Sequence, residues 1–151
     1  MPEKEKVLSV CKIILWHLAK CLYAFYSGFY IMTGLGQGIY RLEKFDARAP
    51  FDFITWIDLD QCCLFSTQSK INLMSMVTAY SMLLLMLVGS VRKAHWFFVA
   101  LLSILHVLIS CIVMQSFPLS YSYWLCLGVV SFVCLASADI IVFFMEEKTP
   151  S

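Results

Sequence analysis

The sequence predicts an all-α membrane protein, a bundle of four transmembrane helices, and the first observation behind this is composition. The 151 residues are 61% hydrophobic and 14% charged, with a mean hydropathy of +0.81, whereas soluble domains carry about 25% charged residues. The second is that the charges collect in clusters separated by long uncharged runs. The longest run, residues 94–138, is about twice the ~20 residues that one crossing needs. We therefore expect a single integral membrane domain over residues 1–151.

Apolar runs and one proline divide the chain into spans. Each helix that crosses a bilayer needs about 20 mostly apolar residues, which predicts spans at about residues 13–40, 71–91, 94–116 and 119–145. Pro118 separates the last two, because proline removes a helical hydrogen bond and clashes with the preceding turn. Serines and interface aromatics surround it, so we expect a tight hairpin there. The glycines near the end of the first span should loosen or end that helix.

The loop between the first two spans, residues 41–70, combines charges of both signs with aromatic and aliphatic residues. A disordered linker would lack those apolar residues. We therefore expect an amphipathic loop that forms an interfacial helix or a folded cap over the span ends. It could serve only to lie on the bilayer, or it could be a docking surface for a partner, and the sequence leaves both open.

An even number of spans places both termini on one side of the membrane. More of the lysines and arginines fall on that side than on the loop side, and the positive-inside rule then favours cytosolic termini. The formal net charge of +1 argues against nucleic acid as a partner, because phosphate binding needs a strongly basic surface. Membrane lipid is the partner that the composition implies.

Two ionisable residues within the predicted spans are candidates for chemistry, Asp139 and His106. An acid inside a span usually faces a cavity, a partner or the bundle interior, so Asp139 could make a structural contact, lie at the interface, or handle protons or ions. A lone histidine such as His106 is more often an interhelical hydrogen-bonding group than a ligand. No zinc-site spacing, nucleophile motif, phosphate loop or paired carboxylate occurs. We expect no metal, no cofactor and no enzymatic activity.

An ordered set of short motifs, densest over residues 58–146, resembles the SYS family of small four-span Golgi membrane proteins. An acidic pair precedes Phe-Ser-Thr and a basic residue, a basic loop follows the second span, and a histidine lies within the third. Phe-Pro then turns the chain, a tryptophan opens the fourth span, and an acid follows. The residues in order are Asp58, Asp60, Phe65, Ser66, Thr67, Lys70, Arg92, Lys93, His106, Phe117, Pro118, Trp124 and Asp139. The chain departs from the family in having Gln68-Ser69 in place of Pro-Pro-Gly, and aspartate at 139 in place of glutamate.

The resemblance implies a role that composition cannot give. SYS-type proteins are trans-Golgi receptors without catalytic activity that recruit an Arf-like small GTPase with an acetylated amino terminus. The GTPase then supports vesicle trafficking and protein transport between Golgi and endosomes. The contact implied here is the cytosolic face made by the loop at residues 91–95 and both termini. The alternatives are a structural, complex-forming four-span protein, and a proton-coupled carrier that uses Asp139 and His106.

The predicted hairpin can be tested by removing its turn. Replacing residues 115–118 with four leucines should fuse the third and fourth spans into one long helix and move the carboxyl terminus across the membrane. Protease protection of a carboxyl-terminal tag measures this. The milder change Pro118→Ala should be tolerated in part, because the polar neighbours also specify the turn. A terminus that stayed on its original side after the four-leucine change would contradict the hairpin.

Overall fold

Four helices make up nearly all of the structure, a computed structural model that describes residues 3–41, 46–53, 66–90 and 94–147. They are α1 (Glu3–Ile39), α2 (Thr67–Ser90), α3 (His95–Met114) and α4 (Tyr121–Glu147). Each is long and apolar enough to cross a membrane, and no strand occurs in the described ranges. The prediction of an all-α four-transmembrane-helix bundle is confirmed.

The first helix differs from its predicted bounds at the amino-terminal end. It begins at Glu3 rather than near residue 13, and it continues through all three glycines of its last turns to Ile39. The polar start contains no helix breaker, and its glutamates and lysines are good helix formers. At the other end Gly36 lies against Ile71 of α2. This packing stabilises the last turns of α1, where the low helix propensity of the glycines predicted that the helix would loosen or end. The resulting helix is about 55 Å long.

Helices α1 and α2 form the most extensive helix pair of the bundle. Buried residues recur at every fourth position on both helices, which produces the ridges that let two helices interdigitate. They are Cys21, Phe25, Phe29, Thr33 and Gln37 on α1, and Ile71, Ser75, Ala79, Leu83 and Leu87 on α2. The Thr33 and Ser75 hydroxyl oxygens lie 3.0 Å apart. The two helices are therefore in register over most of the bilayer.

The closest approach of this pair occurs at Gly28. A Cβ atom at this position would lie 2.9 Å from Met82 Cγ and 3.2 Å from Ala79 Cα, both closer than ordinary van der Waals contact. Small residues at helix interfaces allow backbones to approach in this way, and in lipid such packing replaces the hydrophobic driving force. Gly28 therefore sets the distance between α1 and α2.

A cluster of three hydroxyl groups joins α2, α3 and α4. Tyr80 Oη lies 2.9 Å from Ser103 Oγ and accepts a 2.8 Å hydrogen bond from Ser131 Oγ. The two serine oxygens are 3.3 Å apart. Because hydrocarbon offers no water to these groups, they must be satisfied within the protein. The cluster therefore links α2, α3 and α4 to one another.

The described part of the first loop, residues 46–53, folds onto the bundle end. It forms turns and no helix, and its two aromatic side chains enter the bundle. Phe53 is buried beside Tyr123, and Phe51 packs on Tyr26. The folded-cap alternative fits this stretch, whereas an interfacial helix does not form in it. Residues 54–65 lie outside the described part of the chain.

The hairpin between α3 and α4 occupies residues 115–120. Gln115 ends α3 in the left-handed conformation, with φ of 51°. Pro118 is buried, and its carbonyl oxygen accepts a 2.8 Å hydrogen bond from Trp124 Nε1 in the first turn of α4. The tryptophan thus fastens the turn to the helix that follows. The predicted Pro-containing hairpin is confirmed.

The role of Gly28 predicts a difference between two identical substitutions on α1. Gly28→Ala should lower the free energy of unfolding by about 1–3 kcal/mol, the usual range for overpacking. Gly34→Ala is the matched control, because a Cβ atom there meets nothing within 4 Å. It should be neutral, or stabilising by up to ~1 kcal/mol through helix propensity. Unfolding in mixed detergent micelles measures both, and equal effects would contradict the close approach.

Candidate functional site

The residues singled out by sequence do not form one site in the structure. Asp58, Asp60, Arg92 and Lys93 lie outside the described residues. Lys70 is exposed in the first turn of α2. Pro118 and Trp124 bond to each other in the hairpin. His106 and Asp139 both contact polar groups of other helices.

His106 lies in the bundle interior and links α3 to α1. Its ring is fully buried, and Nδ1 lies 3.3 Å from Tyr26 Oη. Phe25 meets the ring edge-on, with centroids 5.2 Å apart, and Phe51 of the loop stacks on it at 6.3 Å. Within the described residues, Nε2 has no hydrogen-bond partner. These surroundings are typical of a structural interhelical contact.

Asp139 lies at the opposite level of the bundle and pairs with the first residue of α3. Its Oδ1 atom is 2.7 Å from His95 Nε2, and its side chain is 72% exposed, against 10% for His95. Of the three predicted possibilities, the polar contact is the one that the structure describes, and placement at the interface and proton or ion handling stay predictions. A polar contact whose carboxylate side is this exposed contributes about 0–1 kcal/mol. It aligns the start of α3 with α4 rather than holding the bundle together.

The distance between these two candidates bears on the carrier hypothesis. His95, which holds Asp139, lies at the start of α3, and His106 lies about 16 Å further along the same helix. The two groups therefore belong to different levels of the bundle and share no cavity among those lined by described residues. No group of three or more His, Cys, Asp or Glu side chains in the described ranges could hold a metal ion.

A feature that sequence reasoning missed is the projecting start of α1, residues 3–16, which we call the arm. His17 packs edge-on against Phe98 in the first turn of α3, with centroids 6.1 Å apart, so the arm lies beyond the start of α3. Its fourteen residues extend about 21 Å. Residues 140–147 of α4 project at the same end, beyond the contact of Asp139 with His95. The signal was the absence of any helix breaker between Glu3 and the first apolar run.

The arm is exposed and carries both cationic and apolar side chains. Residues 4–13 are all exposed. Among them are three lysines and five apolar or weakly polar residues: Lys4, Lys6, Lys12, Val7, Leu8, Val10, Cys11 and Ile13. At the base of the arm, Lys20 Nζ lies 5.1 Å from the centroid of the Trp16 ring. Tryptophan and lysine are typical of the membrane–water interface, so we expect the arm to leave the bilayer near this pair.

Comparison with known proteins supports the membrane assignment at a coarse level. The chain is similar to transmembrane protein 244 of Homo sapiens, with 29% identity over 121 residues, which cover 78% of this chain and 88% of that protein. No family model matches the chain, and no solved structure matches it. With the four membrane-length helices, the similarity makes this a small multi-pass membrane protein.

The buried contact of His106 predicts a stability effect of Tyr26→Phe. The change leaves both ring nitrogens of His106 without a hydrogen bond and should destabilise the bundle by about 1–2 kcal/mol. Interhelical hydrogen bonds in membranes are worth ~0.6 kcal/mol on average, and an orphaned buried group adds its own penalty. Tyr23→Phe is the matched control on the same helix, because Tyr23 is 78% exposed. Unfolding in mixed micelles measures both, and equal stabilities would contradict a structural role for the contact.

Proposed function

We propose that this chain is a Golgi membrane receptor without catalytic activity that recruits an Arf-like small GTPase through the end of the bundle that holds both termini. The observation that carries the proposal is the arm, a helix of about 21 Å whose residues 4–13 are all exposed, while Ile14 near its base packs against the bundle core. The resemblance of the motifs around Phe117-Pro118 and Trp124 to the SYS family supports the same role.

The arm has the chemistry that such a contact needs. A GTPase that holds the membrane by one weak amino-terminal anchor binds reversibly, and a second interaction makes its residence stable. Val7, Leu8 and Val10 are 59%, 57% and 53% exposed, which leaves apolar area for the acetylated, apolar helix of a GTPase to pack against. Recognition of one helix by the apolar side of another is a common mode of peptide binding.

The proposed orientation places the arm in the cytosol. Lys4, Lys6 and Lys12 lie on the arm, and the positive-inside rule favours the cytosolic side for such residues. Lysines just outside the bilayer are also attracted to the anionic cytosolic leaflet, by about 1 kcal/mol each. This attraction would hold the base of the arm at the membrane surface, where a membrane-anchored GTPase moves.

The buried polar groups support the proposed absence of catalysis, because they form hydrogen bonds between helices. The Tyr80 hydroxyl is bonded to Ser103 and Ser131, and Tyr26 is bonded to His106. An intramembrane enzyme needs several polar groups that converge where a substrate can bind. In the described ranges these groups serve helix packing, which fits a receptor better than an enzyme.

The test is whether a GTPase depends on the chain and on its arm. The tagged full-length protein should localise to the Golgi and capture an Arf-like GTPase, and its depletion should release that GTPase into the cytosol. The double variant Leu8→Ala and Val10→Ala should reduce capture at least tenfold, because it removes apolar contact area while preserving the helix. Quantitative pull-down and imaging of the depleted cells measure these outcomes.

The matched control places the same kind of change on the membrane part of α1. Ile31 and Leu35 are 56% and 58% exposed but lie among the crossing residues, so Ile31→Ala with Leu35→Ala should leave capture unchanged. A GTPase that stays on the Golgi after depletion would overturn the proposed function. Capture that the arm variant and the control retain equally would show that the contact lies elsewhere on the chain.

A further inference from the structure

A groove between α1 and α2 lies at the base of the arm. It has a volume of about 590 Å³. Small residues of α1, among them Ala19 and Ala24, leave a furrow along that helix, and Met82 and Met86 of α2 form the opposite wall. Among the described lining residues Lys20 alone is charged. The groove therefore combines an apolar furrow with a single cation.

The length of the groove corresponds to one leaflet of the bilayer. Residues 20–39 of α1 extend about 30 Å, which is about the thickness of the hydrocarbon core. We therefore expect Lys20 to lie where the hydrocarbon meets the headgroups. The α1 lining runs from Trp16 to Ser27, about 16 Å along the helix, and half of the hydrocarbon core is about 15 Å. The groove thus leads from the headgroup layer into the acyl chains of the same leaflet.

Lys20 places a positive charge at the headgroup end of the groove. Its ammonium nitrogen lies 5.1 Å from the centroid of the Trp16 ring, one turn nearer the arm. This cation–π contact orients the ammonium and leaves its N–H donors available to other acceptors. Within the described residues Lys20 makes no ion pair, and the sequence that follows α2, residues 91–93, contains no acid. A charge at the edge of the hydrocarbon is unfavourable without a partner, and a lipid phosphate would supply one.

A second lysine near the mouth of the groove favours an anionic headgroup over a zwitterionic one. Lys12 is exposed and precedes Tyr23 of the lining by about three helical turns, so both lie on the same side of α1. It is about 12 Å from Lys20 along the helix. A zwitterionic headgroup carries an amine cation beyond its phosphate, and Lys12 would repel that cation. A headgroup with net negative charge is attracted by both lysines.

We propose that this groove binds one anionic phospholipid, with its phosphate on the Lys20 ammonium and one acyl chain along the furrow between α1 and α2. The ammonium and the Trp16 indole N–H are both hydrogen-bond donors, which suits the acceptor oxygens of a phosphate. Met82 and Met86 can adapt to the chain, because methionine is unbranched and flexible. The bound lipid fixes the base of the arm at the membrane surface, whatever partner the arm recruits.

The experiment uses the full-length chain in nanodiscs of phosphatidylcholine that contain a small fraction of phosphatidylglycerol, whose headgroup has a net negative charge and no amine. Native mass spectrometry identifies the lipids that remain bound to the released protein. One phosphatidylglycerol should be retained, enriched about tenfold or more over its fraction in the bilayer, as one charge-assisted hydrogen bond predicts. Retention of the two lipids in proportion to their abundance would overturn the proposal. So would a dimer of the chain that retains no lipid, because a second copy would then occupy the groove.

Charge substitutions distinguish this site from a general attraction of lysines to anionic lipid. Lys20→Gln should reduce the enrichment about tenfold, and Lys20→Arg should largely retain it. Lys4→Gln is the matched control, because it removes the same charge from the arm about 24 Å away from Lys20 along the helix. It should leave the enrichment nearly unchanged. Equal losses in Lys20→Gln and Lys4→Gln would show diffuse attraction and overturn the proposal.

A second pair of substitutions tests the acyl-chain part of the groove. Ala19→Phe places a bulky side chain in the furrow and should also reduce retention about tenfold, while Ala100→Phe, at an exposed position of α3, should not. Thermal unfolding in phosphatidylcholine alone checks that both variants remain folded. If the folded Ala19→Phe variant retains phosphatidylglycerol as well as Ala100→Phe does, the lipid does not lie in the groove and the proposal fails.

Discussion

The contact between α1 and α2 fixes the arrangement of the molecule. Gly28 meets Ala79, Thr33 lies 3.0 Å from Ser75, and a Cβ atom on Gly36 would lie 3.0 Å from Ile71. These three levels hold the two antiparallel helices in one register. That register brings the end of α1 and the start of α2 together at the loop end. It also leaves residues 3–16 beyond the last residue of α2, so the position of the arm depends on it.

Buried polar groups connect the other helices to this pair. The Tyr80 hydroxyl joins α2 to Ser103 and Ser131 on the last two helices, and His106 joins α3 to Tyr26 on α1. Lipid tails are as apolar as leucine, so apolar burial alone gives little preference for one helix partner over another. Each polar group, in contrast, is satisfied only where its partner lies. The hydrogen bonds thus select this packing, and the close glycine contact stabilises it.

The number of spans and the hairpin could be predicted because hydropathy and a proline in an uncharged run are local signals. The start of α1 could not be predicted from the same signal, since hydropathy falls at the charged residues while helix propensity continues through them. The partner of Asp139 also could not be predicted from the sequence. It is His95, which is 44 positions away in sequence, and the pairing depends on how the hairpin sets α3 against α4.

The two ends of the bundle are connected by α1, which is one continuous helix. Gln37 and the arm belong to the same continuous helix of about 55 Å, so a change at the loop end could reach the arm only if α1 shifted as a whole. Such a shift would have to slide Gly28 past Ala79 and Met82, where a close-packed interface is not continuously deformable. A physical route between distant sites requires an element with two discrete arrangements. The tight register of α1 on α2 offers none, so a change at the loop end would not alter through α1 what the arm binds.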